Sequence, residues 1–182
     1  MTNQEFFILS QSNEMVLFER EANGEIIERP LAGWRTSLCS AEVNCQLGNW
    51  NHQNGSGGCF GALTGFALPD GAIRGVYAAW VSRSRLTALT TEQKKGFLPL
   101  SPDFIVELIS ETEDMPYFHL KMQEYLSCGS KLGWLIDPEE KVVYVYRPNV
   151  EVQKLQNVNE ISADPELPGF TLDLTEVWEP QL

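Results

Sequence analysis

Histidine is scarce in this chain, with only His52 and His119 among 182 residues. Chemistry that rests on an imidazole base or a histidine-rich metal site therefore has few candidates. Cysteine is nearly as rare, and Cys39, Cys45, Cys59 and Cys128 show no paired spacing. That excludes a disulfide framework and suits a reduced, cytoplasmic chain. Cys39 and Cys45 lie about 240° apart around one expected helix, so they cannot share a zinc ion. Long apolar runs are missing too. No stretch approaches the ~20 residues a membrane helix needs. The run Phe6 to Leu9 has no basic segment before it, so no signal peptide is expected. Positive charge is in deficit, at 13 Lys and Arg against 25 Asp and Glu, for a net −12. A chain so acidic does not coat nucleic acid or an anionic membrane over its whole surface.

What is present is enough for one domain spanning 1–182, with 43% hydrophobic and 10% aromatic residues. Charge is unevenly spread. Residues 71–102 hold Arg74, Arg83, Arg85, Lys94 and Lys95 against one acid, Glu92. A basic segment on an acidic protein suits a phosphate-guiding lip, or an ordinary solvated loop.

The pattern predicts an element order. Thr2 to Glu5 fits a capping box for a helix to about Ser12. Met15–Glu19 and Glu25–Glu28 flank Asn23-Gly24 as a hairpin. Ser37 or Ser40 suits the cap of a helix running to about His52, stopped by the glycines after Asn54. Strands are expected at Cys59–Thr64, Gly65–Leu68, Tyr77–Val81 and Phe104–Ile109. A short helix lies within 83–100, and Pro116 opens a helix to about 127. Gly133–Ile136 and Val142–Tyr146 are strands, and short strands near 150–155 and 170–173 close the chain. The fold class is α/β.

Three familiar motifs fail. Gly55-Ser56-Gly57-Gly58 lacks the Lys-Ser/Thr of a P-loop and the spacing of a dinucleotide fingerprint. Ser56 has Asn54 where a nucleophile elbow needs glycine. What remains is Glu107, the one break in the apolar strand Phe104–Ile109. A carboxylate there is costly unless a cation or hydrogen bonds compensate it. Lys121 on the next helix is within reach. The two form either a structural ion pair or a metal carboxylate beside a lysine that activates water.

The stretches GFALPDGAIR (65–74), AAWVS (78–82), LSPDFIVELIS (100–110), KMQEYLSCGSKLGWLIDP (121–138), VYRP (145–148) and LPGFTLDL (167–174) resemble the Uma-two restriction-endonuclease family. That family is a branch of the PD-(D/E)XK nuclease superfamily. The resemblance implies a restriction-endonuclease-like core of α-β-β-β-α-β order, a mixed sheet flanked by helices. Around it lie the N-terminal helix and hairpin and the short C-terminal strands. It implies Mg²⁺-dependent cleavage of DNA, a homodimer, Glu107 as a metal carboxylate and Lys121 as the catalytic lysine. Glu42 of the early helix assists in that picture. From the basic segment 71–102, Arg74, Arg83 and Arg85 are the residues expected to contact DNA.

The sequence departs from the family where it matters most. The family's Pro-Asp, which carries its other metal carboxylate, is Val76-Tyr77 here. Mg²⁺ prefers hard anionic oxygens, and a phenol is neutral at pH 7. Asp103 shares a strand face with Glu107 but stands about 13 Å away. Without metal, Glu107, Glu111, Glu113 and Asp114 would repel phosphate. The expectation is an impaired endonuclease. The alternatives are an inactive relative that binds DNA or a protein, or a structural dimer subunit.

Overall fold

The apolar run around Glu107 forms β5 (Phe104–Leu108), buried at every position. A strand covered on both faces needs a helix on each side. The computed structural model, which describes residues 1–13, 16–110 and 113–180, supplies both. Phe104, Val106 and Leu108 pack with Cys39, Val43, Leu47 and Trp50 of α2 (Trp34–Asn54). Ile105 packs on the other face with Phe118, Met122 and Tyr125 of α4 (Met115–Ser127). The period-two alternation of β5 thus sends Glu107 to the α4 side.

The N-terminal part holds α1 (Asn3–Ser12), β1 (Leu17–Arg20) and β2 (Ile26–Arg29). The Thr2–Glu5 capping box is formed, with the Glu5 amide donating to Thr2 Oγ1 at 3.2 Å. Gly24 adopts φ 90° in the hairpin turn. Met15, expected to open the first strand, lies outside the described residues. After α2 come β3 (Gly57–Ala67), β4 (Ile73–Ser82), α3 (Arg83–Ala88) and a 3₁₀ turn at Gln93–Lys95. After α4 come β6 (Leu132–Asp137), β7 (Val142–Tyr146), β8 (Gln153–Gln156), β9 (Glu160–Ser162), β10 (Thr171–Asp173) and α5 (Thr175–Trp178).

The main sheet has the order β2-β1-β4-β5-β6-β7-β8, with β3 also paired to β4. β5 and β6 run parallel, joined by α4, and the other pairs are antiparallel. The α-β-β-β-α-β core is therefore α2, β3, β4, β5, α4, β6. β9 and β10 form a separate pair. Leu172, Val177 and Trp178 from this end close the α2 side of the core.

Three local expectations are corrected. The helix begins at Trp34, because Gly33 enters it in extended conformation with no side-chain cap. Ser40 is buried in its interior instead of capping it. The expected strands Cys59–Thr64 and Gly65–Leu68 are one strand. Between Gly61 and Thr64 it advances three residues while β4 advances two, from Ala78 to Val76. That extra residue is a bulge, which bends a strand without ending it. The expected strand at Tyr77 starts earlier, at Ile73.

Among the described residues no helix is long and apolar enough to cross a membrane. All four cysteines are free.

Candidate active site at the fork of the sheet

Two strands share one edge of β4. β1 reaches it only at the pair Arg20–Ile73, and β5 only at Ala78–Trp80. Between these contacts the edge at Gly75 has no strand partner among the described residues. A buried backbone amide and carbonyl must still be satisfied. Side chains do this. The Gly75 amide donates to Glu19 Oε1 at 3.1 Å, and its carbonyl accepts from Lys121 Nζ at 3.1 Å and Tyr125 Oη at 3.0 Å.

These contacts gather the site. Lys121 Nζ stands 2.8 Å from Glu19 Oε1 and 2.9 Å from Glu107 Oε1. With the Gly75 carbonyl this makes three acceptors for the three protons of an ammonium. Tyr125 Oη also stands 3.1 Å from Glu107 Oε1, so its single proton is shared between that carboxylate and the Gly75 carbonyl. All three charged groups are buried: Glu107 is 1% exposed, Lys121 3% and Glu19 4%. The sequence expectation pairing Lys121 with Glu107 is met in geometry. Glu19 completes the group.

Burial alone would pull the Lys121 ammonium toward neutrality. The Glu107 and Glu19 carboxylates outweigh it and hold the lysine protonated. Burial likewise pushes Glu19 up, but Lys121, Arg29 and Arg74 bring it below the ordinary carboxylate range. Glu107 goes the other way. Its burial exceeds the help from Lys121, and the nearby Glu19 charge adds to the rise.

A cleft of about 470 Å³ opens onto these groups, and Tyr77 lines it together with Glu19, Glu107 and Lys121. Burial, with Glu113 and Glu107 nearby, pushes the Tyr77 phenol up to about 12. It is neutral at pH 7. Arg29 also reaches the cleft, where it pairs with Glu113 at 3.0 Å and lies over the Tyr117 and Phe118 rings. Glu111 lies outside the described residues.

Other expected site residues are placed elsewhere. Glu42 belongs to α2, which covers the opposite face of the sheet from Glu107. Its Oε1 accepts from Gln46 Nε2 at 2.8 Å, and that amide also binds the Asp173 carbonyl. Glu42 does not join Glu107, because the helix and the Glu107 side chain leave β5 in opposite directions. Arg74 is 3% exposed and bound to Glu21 and Glu124, with Glu19 Oε2 at 3.5 Å. A guanidinium so enclosed is not offered to DNA. Arg85 pairs with the buried Asp103 at 3.3 Å. Arg83 is exposed at the start of α3, and of the three it is the one presented to solvent.

Glu19, Tyr125 and Arg29 are site residues that sequence reasoning missed. The hairpin pairs in register with β4 at the single pair Arg20–Ile73. No local pattern announces a contact between residues so far apart in the chain.

The groups present do not fit a divalent cation. Mg²⁺ sits at 2.0–2.1 Å from near-octahedral oxygens. Here two carboxylates and one carbonyl surround an ammonium at 2.8–3.1 Å. Tyr77 offers a neutral phenol where the resemblance places a carboxylate. Among the described residues no cluster of three or more His, Cys, Asp or Glu side chains is arranged to hold a metal ion.

The comparisons with known proteins agree on the architecture. The family model described as "Uma2: Putative restriction endonuclease" matches residues 4–175. A crystal structure of a "putative nuclease belonging to DUF820" from Anabaena variabilis ATCC 29413 superposes with a TM-score of 0.76. The match covers 88% of this chain and 89% of that one at 19% sequence identity, so it shows the fold alone. Among curated proteins none matches the chain.

Proposed function

Because the chain belongs to the Uma2 family of putative restriction endonucleases, we propose that it is a DNA-directed nuclease whose phosphodiester hydrolysis is impaired at Tyr77. The observation that carries this reading is the Lys121 ammonium held between Glu19 and Glu107. A positive charge at contact distance from both carboxylates offsets one of the two negative charges that would otherwise attract Mg²⁺. The Tyr77 phenol adds no compensating anion, being neutral at working pH. With Lys121 offsetting one of them, Glu19 and Glu107 keep one net negative charge, which repels a phosphodiester that arrives without a cation.

Tyr77 also favours a second reading, an inactive relative that binds DNA or a protein through the same fold. Exposed Arg83 and Lys94 are the cations that support DNA contact, since Arg74 and Arg85 are held by carboxylates. A homodimer acting in the cytoplasm goes with either reading, and sedimentation of the pure protein tests the dimer.

Plasmid nicking in Mg²⁺ or Mn²⁺ separates the two functional readings. The impaired-nuclease reading expects slow or no nicking by the wild type and clear nicking by Tyr77→Asp. If a folded Tyr77→Asp variant is as silent as the wild type, the nuclease reading fails and the binding reading takes its place.

A further inference from the structure

The cleft is unlike a surface for a phosphate backbone. Its walls are apolar, built from Leu17, Phe18, Ile73, Val76 and Phe97. Its volume, about 470 Å³, is that of a site for one small organic molecule. Every charged group that reaches it already has partners inside the protein. Lys121 is bound by Glu19, Glu107 and the Gly75 carbonyl. Arg29 is bound by Glu113. Tyr77 is different. It lines the cleft, packs against the core under α2, and its hydroxyl has no hydrogen-bond partner among the described residues. A half-buried phenol that keeps its proton to about pH 12 is a hydrogen-bond donor to whatever enters.

We propose that the cleft binds a small uncharged molecule with an apolar body and one hydrogen-bond acceptor, which the Tyr77 hydroxyl meets. Apolar walls supply the affinity, and the phenol fixes the orientation. An anion gains little, because the two cations that reach the cleft, Lys121 and Arg29, are already paired with Glu19, Glu107 and Glu113. This goes beyond the nuclease reading and does not rest on it, since ligand binding and nicking are measured separately.

The probe is prodan, a neutral naphthalene ketone whose emission moves to the blue in apolar surroundings and to the red when its carbonyl accepts a hydrogen bond. The expected result is saturable, blue-shifted binding at one prodan per chain. Tyr77→Phe should weaken it about fivefold, the effect of one lost hydrogen bond, and move the emission further to the blue. Ala62→Trp places bulk in the cleft from an exposed lining position and should weaken binding at least tenfold. Ala32→Trp, also exposed and lining, serves if the first variant does not fold. Phenyl phosphate should not displace the probe. The proposal is overturned if prodan does not bind or if binding is unchanged in Tyr77→Phe and in the folded tryptophan variant. Displacement by phenyl phosphate at similar concentration also overturns it, because the site would then select an anion.

Discussion

Lys121 of α4 and Glu107 of β5 meet at 2.9 Å with their side chains 2% and 1% exposed, so neither charge is shared with solvent. Removing one partner of such a pair leaves the other buried and uncompensated. Lys121→Met is expected to lower unfolding stability by about 3–5 kcal/mol. Adding Glu107→Gln to that variant should recover part of the loss, since it removes one of the two stranded carboxylates. Urea unfolding of the two single variants, the double variant and wild type checks this. Recovery would fail to appear if Lys121 stabilised the fold only through its aliphatic stem.

Arg74 and Arg83 are both basic residues of the 71–102 segment, yet their roles differ. Arg74 is enclosed by Glu21, Glu124 and Glu19, so Arg74→Met should destabilise the fold by about 3–5 kcal/mol. Exposed Arg83 should matter to stability by less than about 0.5 kcal/mol. If the protein binds DNA, Arg83→Ala should weaken binding uniformly across sequences and reduce the salt slope by about one. Unfolding curves and a salt titration of DNA binding separate the two residues. Equal stability losses would contradict the assignment.

How much of this was legible in the sequence differs by residue. The buried run of β5, broken once at Glu107, could be read because a fully covered strand needs apolar residues on both faces. Pro116 at the start of α4 and the Thr2–Glu5 capping box were legible for local reasons, as each satisfies or removes a backbone donor nearby. Arg74 and Glu42 were misplaced because a charge in a sequence does not say which element will face it. Arg74 meets acids from β1, α4 and the loop after β1, and Glu42 turns away from the sheet face that holds Glu107. Glu19 was invisible for the same reason. Its partners Gly75 and Lys121 are 56 and 102 positions away.

Asp103 gives the fold an acid-sensitive contact. Burial pushes its carboxyl up, but Lys131, the Ser82 amide and Arg85 outweigh this and hold it below the ordinary value. A lowered folded pKa stabilises the native state fully above the unfolded value of about 3.9. That contribution is lost as pH falls through the lower folded value. Asp103→Asn should therefore reduce the urea midpoint at pH 7, and its midpoint should change less than wild type between pH 7 and pH 2.5. Parallel pH profiles would contradict the role given to Asp103.

Gly57 marks where β3 and β4 come too close for a side chain. A Cβ there would stand 2.2 Å from the Val81 carbonyl oxygen and 2.6 Å from the Trp80 ring. Gly57→Ala should destabilise by about 1–3 kcal/mol, since the backbone oxygen must shift. Gly48→Ala is the control, as nothing lies within 4 Å of its Cβ position in α2. Helix propensity then makes that change neutral or stabilising by up to about 1 kcal/mol. Thermal melts of the two variants check the pair.

Calorimetric titration with Mn²⁺ tests the central claim most directly, with wild type and Tyr77→Asp compared at pH 7. The account predicts no specific binding heat for the wild type, where Lys121 occupies the space between Glu19 and Glu107 and offsets one of their charges. It predicts saturable binding by Tyr77→Asp, which returns a third carboxylate to the cleft. Stoichiometric Mn²⁺ binding by the wild type that Glu107→Gln abolishes would contradict it, because the site would then hold a metal ion with tyrosine in place.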